Sequence, residues 1–561
     1  MRAVEIQIHN VRSIHDATVG LRELSLVAGA NNAGKSNIVD SIRMFYGDLK
    51  WLDERDVPVI AGADSESWIE IEYKPSTDEL AQLKDEYKSS DGTFRVRNYF
   101  KAGPGTDGKV RAGYYAYVDG VLSETLFYGA KNVGSGKVGK VVYIPAVSKI
   151  DEHTKLSGPS ALRDLIATVM TKVVSSSPAY GALTTAFSVF EKDIKTQESD
   201  DGQSLKILET EISDEIASWD AAFSLGIQSI QPDEMLKSLI KPQLFDQAHG
   251  GEIDQVRFGA GFQRHLIFVL IKLAAKYASG AKKPAGEKKE FSPELTWILF
   301  EEPEAFLHPS QEDVLYDSLV QLASDPATQV LLTTHSSRFV SRSMDDLTRL
   351  VRLRRDGAIT TSHQVDQVQL DGFFDAALAA DGEITSAILK PADINANMMM
   401  SALKMELWLQ PHRAAAFFAK RVVLVEGPSE VGLYSYLTTR GLMTAAAPGV
   451  ALIDCMGKYN IHRFMALLNA FGIDHAVLYD GDGGGSLDTE VTKTITDATG
   501  TFTQKVKRFD HDLESELGIV ALPRNEGHRK PQYVLYNLEA GLIPQANLDS
   551  IIEDLRQLCL P

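Results

Sequence analysis

Cysteine is nearly absent from this chain of 561 residues, which contains only Cys455 and Cys559. Two thiols cannot form a disulfide framework or a four-thiolate zinc site, whereas a metal site of histidine and carboxylate is compatible with the composition. The chain also lacks an apolar run long enough to span a membrane. Charged and polar residues interrupt the first ten positions, where a signal segment would lie. We therefore expect a cytoplasmic protein without a membrane partner.

An excess of basic residues is missing as well. The chain has 57 lysines and arginines against 76 aspartates and glutamates, a formal net charge of −19. This balance argues against a protein that coats nucleic acid by bulk attraction, although it leaves room for a local basic groove. Clustered carboxylates that hold metal ions would contribute to such a charge. The length predicts two to four domains.

A complete phosphate-binding loop occupies residues 29–36, with the sequence GANNAGKS. It follows a short apolar strand at 24–28 and precedes a helix with one apolar face, which is the order that nucleotide binding requires. The glycines let backbone N–H groups surround a phosphate, Lys35 reaches the β- and γ-phosphates, and Ser36 offers a hydroxyl to magnesium. The residues expected to bind ATP here are Asn31, Asn32, Ala33, Gly34, Lys35, Ser36 and Asn37.

Two later strands supply the remaining groups of a magnesium-dependent ATPase. The apolar segment 297–300 ends in Glu301 and Glu302, which we assign to magnesium and to the attacking water, respectively. The alternative is an acidic surface turn. The apolar segment 330–334 is followed by His335, whose position after the paired acids favours a γ-phosphate sensor over a partly buried polar residue.

Three other segments complete the first half of the chain. Alternating apolar residues predict an edge strand at 4–8 and antiparallel hairpins between 68 and 118. The segment 160–247 has the pattern of an all-helical insertion, which either buries its own core or mediates oligomerisation. Gly261 and Gln263 begin a helix and could present donors to an anion, but alone they favour a plain helix-entry turn.

Taken in order, these motifs resemble the ABC-type ATPases of the SMC and RecF kind over residues 1–355. The resemblance implies a head that dimerises around ATP, with Gly261 and Gln263 of one subunit facing the nucleotide of the other. Two departures are evident: Glu301 stands where most such proteins carry aspartate, and the serine of the signature motif is missing. The resemblance therefore implies slow hydrolysis or hydrolysis used as a switch.

Paired acids recur in the second half of the chain, beyond a helical connector predicted at 371–418. The apolar strand 422–425 ends in Glu426, with Glu430 in the following helix, and the strand 476–479 ends in Asp480 and Asp482. Acids at the carboxyl ends of two parallel strands favour a divalent-metal site over a solvated loop or a helix cap. An EF-hand loop is excluded because Gly484 and Val491 occupy two of its ligand positions.

Glu514 and Lys530 lie further along in segments that in isolation would be read as surface. A magnesium site for phosphodiester chemistry benefits from acids on both sides of the scissile phosphate and from a lysine that balances the oxyanion charge. Such a site would give Glu514 and Lys530 a chemical role, although the segments themselves do not select them.

The motifs VLVEGPSE and YDGD resemble the Toprim domain of topoisomerases, primases and nucleases. An ABC-type head fused to a C-terminal Toprim domain resembles the OLD (overcoming lysogenisation defect) family, including the nuclease subunit of Gabija anti-phage systems. The segments YIPAVSK at 143–149 and FFAKRVVLVEG at 417–427 support this resemblance. It implies one metal at Glu426, Asp480 and Asp482, a second at Glu430 and Glu514 with Asp480, and contact between Lys530 and the scissile phosphate.

The predicted fold is α/β throughout. An ABC-type head (1–159 and 248–370) contains the helical insertion (160–247), and the connector (371–418) leads to a Rossmann-like Toprim domain (419–561). The predicted function is an ATP-regulated endonuclease or nickase that cuts DNA in anti-phage defence, with two Mg²⁺ or Mn²⁺ ions in the Toprim site and one bound with ATP. We expect a homodimer or homotetramer, and the resemblance leaves open a helicase-like partner. The alternative is an ATP-gated DNA clamp or repair ATPase with a non-cleaving Toprim domain.

Overall fold

The computed structural model divides the chain into two compact units, Met1–Ala146 with Lys288–Pro561, and Val147–Glu287. The residues that it describes are 1–60, 62, 64–103, 111–129, 138–146, 197–219, 221–225, 243–246, 250–253, 257–278, 291, 293, 295–340, 345–372, 410–444, 449–481 and 486–560, with isolated positions between 166 and 194.

An antiparallel sheet of six strands begins the first unit, with strand order β2-β1-β4-β5-β6-β7. Its strands are β1 (Arg2–Val11), β2 (Ile14–Gly20), β4 (Ser67–Lys74), β5 (Phe94–Lys101), β6 (Gly113–Val118) and β7 (Val121–Leu126). The predicted hairpins are confirmed. The prediction that residues 4–8 form an edge strand is wrong, because β1 pairs with β2 on one side and β4 on the other. Alternation reveals a buried face, but it does not reveal how many neighbours a strand has.

The second sheet carries the phosphate-binding loop and has the order β14-β13-β3-β12-β11-β8. Its strands are β3 (Leu24–Gly29), β8 (Lys140–Ile144), β11 (Thr296–Glu301), β12 (Thr328–Thr333), β13 (Leu350–Asp356) and β14 (Ile359–His363). All neighbouring pairs are parallel except β13 and β14. The carboxyl ends of β3, β11 and β12 therefore lie at one edge, which brings the loop, the paired acids and His335 together.

A third sheet, in the C-terminal part of the chain, is entirely parallel and has the order β16-β15-β17-β18. Its strands are β15 (Arg421–Val425), β16 (Val450–Asp454), β17 (Asp474–Tyr479) and β18 (Thr503–Arg508). Because β15 and β17 are adjacent and parallel, Glu426 and Asp480 emerge side by side.

Helices pack against the second and third sheets, and two of them lie in the described part of the second unit. The helices are α1 (Lys35–Phe45), α2 (Asp53–Asp56), α3 (Thr77–Gln82), α4 (Leu205–Ile216), α5 (Ala260–Ala278), α6 (Pro309–Ala323), α7 (Ser337–Val340), α8 (Pro411–Ala414), α9 (Pro428–Thr439), α10 (Ile461–Ala470), α11 (Ser486–Asp497), α12 (Leu513–Glu516), α13 (Lys530–Glu539) and α14 (Gln545–Cys559). The core of the third sheet is closed by apolar side chains from α9, α13 and α14, among them Leu433, Val534 and Ile551. None of the helices, as far as the structure describes them, is both long and apolar enough to cross a membrane.

Within the second unit, α4 lies where the sequence predicts a helix, and Ser204 caps its first turn. The short strands β9 (Leu244–Asp246) and β10 (Gly251–Ile253) form a hairpin. Strand β9 lies inside the segment 160–247, so that segment departs from the expected all-helical structure at its end. Most of the segment, like residues 373–409 of the predicted connector, lies outside the described residues.

Strands β13 and β14 hold the third sheet against the second. The Arg352 guanidinium donates to the carbonyl oxygens of Phe471 at 3.2 Å, Gly472 at 2.7 Å and Ala419 at 3.1 Å. Arg354 pairs with Asp474 at 2.9 Å. Burial lowers the pKa of Arg352 to about 10, and neighbouring Arg354 acts in the same direction. A buried cation on the strand beside β3 is thus bonded to the main chain of the C-terminal domain.

Candidate active site

The phosphate-binding loop needs glycine at two positions. Gly29 and Gly34 have φ angles of 146° and 102°, values that other residues rarely adopt. Space is limiting as well, because a Cβ on Gly34 would lie 2.7 Å from Thr360 Oγ1. Thr360 also donates to the Ala33 carbonyl at 3.1 Å, so the start of β14 supports the loop from behind. The loop is therefore shaped by backbone conformation and close packing.

Lys35 belongs to this loop, is the first residue of α1 and is buried. Its ammonium group donates to the carbonyl oxygens of Gly29 at 3.1 Å and Ala30 at 3.2 Å. Burial lowers its pKa to about 8, and the nearby carboxylates of Glu302 and Glu304 oppose this shift. A phosphate that approached the loop would supply the negative charge that this buried ammonium favours.

The other predicted loop residues face solvent or neighbouring side chains. Asn31, Asn32 and Ser36 are exposed, and Ser36 occupies the second position of α1. Arg355 donates to Asn32 Oδ1 at 3.1 Å, and Asn37 Nδ2 donates to Ser13 Oγ at 2.8 Å. Sequence reasoning missed the Arg355 contact, because β13 becomes a neighbour of the loop only in the folded sheet.

Glu301 ends β11, which is separated from the loop strand β3 by β12, and its carboxylate is held by an aromatic hydroxyl. Tyr143 donates to Glu301 Oε2 at 2.8 Å, and the Arg43 guanidinium lies 3.6 Å from the centre of the Tyr143 ring. Because Arg43 belongs to α1, the acid assigned to magnesium is linked to the helix that carries Lys35. Tyr143 lies in the segment 143–149 that supports the family resemblance, but the sequence does not predict a role for it in the site.

Glu302 and His335 meet at the same edge of the sheet. Their side chains approach to 3.5 Å, and Glu302 has a left-handed φ of 44°, a strained conformation for a residue other than glycine. Burial lowers the pKa of His335, and Lys35 lowers it further. The expected proximity of Lys35, Glu302 and His335 is therefore present in the structure.

Glu304 is a half-buried acid shortly after the paired acids, and sequence reasoning did not select it. Its Oε1 accepts from the Thr334 hydroxyl at 2.9 Å and from the backbone N–H groups of His335 at 2.6 Å and Ser336 at 3.1 Å. Burial raises the pKa of this carboxyl. Glu304 thus fixes the turn that presents His335.

Gly261 and Gln263 lie at the start of α5 in the second unit. Gln263 Nε2 donates to the Phe258 carbonyl at 2.7 Å, and its backbone N–H donates to the Gly259 carbonyl at 3.1 Å. Phe262 is 43% exposed and stacks on Phe258. This local geometry is that of a helix-entry turn, and the assignment of Gly261 and Gln263 to ATP binding stays a prediction.

In the C-terminal domain, the acids at the ends of β15 and β17 converge. The Asp480 backbone N–H donates to Glu426 Oε2 at 3.2 Å, and the Gly427 N–H donates to Glu430 Oε2 at 3.0 Å. Both Glu430 and Asp480 are buried, being 4% exposed. Burial raises the pKa of Glu430 to about 8, and the neighbouring Asp480 carboxylate adds to the shift. Negative charge is concentrated here at an energetic cost that a cation would relieve.

Lys530 and Glu514 complete this cluster from distant parts of the chain. Lys530 Nζ lies 3.0 Å from Asp480 Oδ2 and 2.8 Å from Glu514 Oε2, and Glu514 is buried at the start of α12. Burial lowers the pKa of Lys530, but the two carboxylates outweigh it, and the net shift is upward. The lysine thus lies among the acids, between two predicted metal ligands.

The donor set fits a hard divalent cation, because it consists of carboxylate oxygens on buried strand ends. Among the described residues, no three acidic, histidine or cysteine side chains are close enough to form a complete metal cluster. Lys530 separates Asp480 from Glu514, and Asp482, a predicted ligand, lies outside the described residues. The ligand assignments therefore stay predictions.

A cleft of about 720 Å³ lies between the phosphate-binding loop and the amino-terminal edge of the third sheet. Its lining is rich in basic side chains: Arg352, Arg354, Arg355, Lys420 and Arg421. The carboxylate cluster lies at the opposite, carboxyl-terminal edge of the same sheet. Strands β15 and β17 consequently connect the neighbourhood of the nucleotide loop to the acids.

Two family models match the chain. Residues 417–482 match the model described as "Overcoming lysogenization defect protein-like, TOPRIM domain", and residues 169–340 match the AAA ATPase domain. The first match contains Glu426, Glu430, Asp480 and Asp482. The second contains the acids of β11 and His335.

Curated relatives agree with these matches. The chain is 24% identical to the Old nuclease of Escherichia phage P2 over 506 residues, covering 86% of this chain and 77% of the relative. It is 26% identical to Endonuclease GajA of Bacillus cereus (strain VD045) over 195 residues, 35% of this chain and 28% of the relative.

Among solved structures, the SMC head domain from Thermotoga maritima aligns with 65% of this chain and 100% of its own length, at 11% identity and a TM-score of 0.31. The fold assignment rests on the strand order and the family models. Together, the two models and the curated relatives support a nuclease enzyme that has an ATPase domain followed by a C-terminal TOPRIM domain and is similar to OLD-like proteins.

Proposed function

We propose that this protein is an ATP-regulated DNA endonuclease or nickase that depends on Mg²⁺ or Mn²⁺. The main support is the convergence of Glu426, Glu430, Asp480 and Glu514 around Lys530. These residues come from four separate segments of the chain, and three of the acids are buried. A fold does not bring together so many acids without a chemical use, because each buried carboxylate costs solvation energy.

Two metal ions would be held by two sets of carboxylates that share Asp480. Glu426, Asp480 and Asp482 would hold one ion, while Glu430 and Glu514 with Asp480 would hold the other. Ions bound there would activate water for attack on phosphorus and neutralise charge on the phosphate oxygens. Lys530 is placed to exchange its two carboxylate contacts for a contact with the scissile phosphate. Glu430 would adjust the net charge of the two-metal site, since its carboxyl group can be neutral or charged.

ATP is proposed to bind at the phosphate-binding loop together with one magnesium ion held by Ser36 and Glu301. Glu302 would position the attacking water, and His335 would sense the γ-phosphate. Regulation of the nuclease is supported by the bonds from Arg355 to Asn32 in the loop and from Arg354 to Asp474 at the start of β17. Both arginines belong to β13, so a change in the loop is transmitted along one strand.

The biological setting follows from the relatives. Similarity to Old nuclease and GajA supports anti-phage defence, DNA as the substrate and a cytoplasmic location. We propose a homodimer or homotetramer, with the segment 160–247 at the subunit contact. A helicase-like partner is the alternative arrangement of a Gabija-type system.

The test is plasmid cleavage by the purified chain with Mg²⁺ or Mn²⁺, with and without ATP. The Asp480→Ala variant should lose cutting while still binding ATP, and the Lys35→Ala variant should cut with an altered ATP response. Cutting by Asp480→Ala at the wild-type rate would refute the assigned site.

A non-cleaving, ATP-gated DNA clamp is the second candidate. It is favoured by the two ion pairs of Lys530, which neutralise the acids without a metal ion. A wild-type protein that binds DNA and hydrolyses ATP but does not cut with either metal would support the clamp.

A further inference from the structure

A second group of charged residues lies beneath the carboxylate cluster, and neither the sequence motifs nor the relatives' names point to it. It consists of Lys458, Asp488 and Arg508, which we call the ion triad. Lys458 and Asp488 are 3% and 5% exposed. Charged side chains are rarely buried to this extent unless their position matters for structure or function.

The triad is joined by short hydrogen bonds. Lys458 Nζ donates to Asp488 Oδ1 at 2.8 Å, and Arg508 Nη2 donates to Asp488 Oδ2 at 2.8 Å. Burial alone would raise the pKa of Asp488, but the bonds from Lys458 and Arg508 outweigh it and lower the pKa. Asp488 is therefore a stable anion that fixes two cations.

One end of the triad holds the loop that follows β17. Arg508 Nη2 also donates to the Gly481 carbonyl at 3.1 Å. A Cβ on Gly481 would lie 2.4 Å from the Phe509 carbonyl oxygen and 2.8 Å from Arg508 Cζ, so this loop packs directly against the end of β18. Gly481 separates Asp480 from Asp482, two of the proposed metal ligands.

The other end of the triad holds the end of β15. Lys458 begins the short 3₁₀-helix Lys458–Asn460, next to Gly457. The Gly457 N–H donates to the Glu426 carbonyl at 2.7 Å, and Gly457 has a left-handed φ of 106°. The turn that carries Lys458 is thus bonded to the main chain of another proposed ligand.

We propose that the ion triad consists of positioning residues that set the spacing between Glu426 and Asp480, and thereby set the affinity of the nuclease site for its metal ions. This inference rests on the proposed function. The triad acts through the ligands, since Arg508 bonds Gly481 beside Asp480, and Lys458 belongs to the turn whose Gly457 N–H bonds Glu426. Groups of this kind typically change metal affinity by about 10- to 100-fold when they are removed.

The test is titration of the full-length, nucleotide-free protein with Mn²⁺ by calorimetry, with Asp480→Ala as the baseline for heat from other sites. Arg508→Met and Lys458→Met should weaken Mn²⁺ binding by about 10-fold or more. Arg508→Lys, which retains the charge but has a shorter reach and one donor group, should give an intermediate value and serves if the methionine variants fold poorly. Thermal unfolding shows whether each variant is folded.

Lys507→Met is the matched control, because Lys507 also lies on β18 and forms an ion pair with Asp554 away from the acids. It should bind Mn²⁺ like the wild type. The Mn²⁺ concentration that gives half-maximal plasmid cutting should rise in the triad variants with an unchanged KM for DNA.

The outcomes separate this inference from the proposed function. Folded triad variants that bind Mn²⁺ within twofold of the wild type would overturn the inference, as would identical titrations of wild type and Asp480→Ala. A wild-type protein that binds Mn²⁺ but never cuts DNA would contradict the proposed nuclease activity. The comparison of Mn²⁺ affinity between the wild type and the triad variants would still decide the role of the triad.

Discussion

The two candidate sites of this protein place a lysine in opposite surroundings. In the ATPase domain, Lys35 donates to backbone carbonyl oxygens, and burial lowers its pKa to about 8. In the TOPRIM domain, Lys530 is paired with two carboxylates, which raise its pKa despite partial burial. Burial makes the charge of Lys35 costly in solvation energy until an anion binds beside it. The charge of Lys530 is already balanced by carboxylates.

This difference reflects how each site is built. The ATPase loop uses backbone N–H groups and glycine conformations to surround an anion, so it needs few positively charged side chains. The TOPRIM site uses buried carboxylates to attract cations, so a resident cation stabilises it. The same residue type therefore serves as an anion receptor in one domain and as a counterion in the other.

The largest expected effect comes from removing the paired lysine. Lys530→Met should reduce plasmid cutting by about 100-fold or more, because the scissile phosphate loses a preorganised cation while the carboxylates remain. Calorimetry should show that Mn²⁺ binding is retained. Arg529→Met is the control, since Arg529 is an exposed neighbour paired with Glu526. Cutting within threefold of the wild type would show that Lys530 only neutralises the acids.

Removing Lys35, the lysine of the ATPase domain, should affect the binding of ATP and not of metal ions. Lys35→Ala should weaken ATP binding by about 100-fold, roughly 2.7 kcal/mol, because a charge-assisted contact to phosphate is lost in a buried loop. Mn²⁺ binding without nucleotide should be unchanged. Equilibrium binding of a fluorescent ATP analogue measures the effect, with the exposed Lys50→Ala as control. Equal affinity in both variants would contradict the assigned role.

The link between the two domains can be broken at Arg352. Arg352→Met leaves three carbonyl groups without their charged donor and should lower the free energy of unfolding by about 2–4 kcal/mol. Chemical denaturation measures this change, and Arg355→Met on the same strand should cost less because Arg355 is exposed. The ATP response of plasmid cutting should shrink in Arg352→Met. A full ATP response would show that the domains communicate by another route.

The smallest effect concerns pH at the same boundary. Burial, aided by Arg352 and Arg354, lowers the pKa of His363 to about 4, and its ring packs on Phe502. The folded state therefore binds fewer protons at this site than the unfolded state between pH 4 and 6.5, so the contribution of His363 to stability is lost as the pH falls through this window. Allowing for partial exposure, we expect a loss of about 1 kcal/mol from pH 7 to pH 5.

Thermal unfolding at the two pH values measures this loss. His363→Phe is the matched variant, because it keeps a ring against Phe502 without a titrating group. It should show a smaller fall in Tm than the wild type. Equal falls in both proteins would assign the pH dependence to other residues.

Local motifs predicted most of the residues that the structure brings together. The loop at 29–36, the acids of β11, His335 and the acids after β15 and β17 could be recognised because each lies within a few positions of a strand or helix with a clear apolar pattern. Glu514 and Lys530 had no such context, and the family resemblance alone selected them. Arg352, Arg355 and Arg508 had no sequence signal, because the partners described above lie 20 or more positions away along the chain.

The sequence by itself determined the glycine loop, the order of the two domains and the strands that end in the loop, the acids and His335, because these depend on residues close together in the chain and on their periodicity. Only the tertiary structure decided that β1 lies inside its sheet, that Lys530 stands between Asp480 and Glu514, and that Lys458, Asp488 and Arg508 meet beneath the acids. The physical reason is that strand order and the burial of charge are set by contacts between distant segments, and such contacts leave no periodic pattern in the sequence.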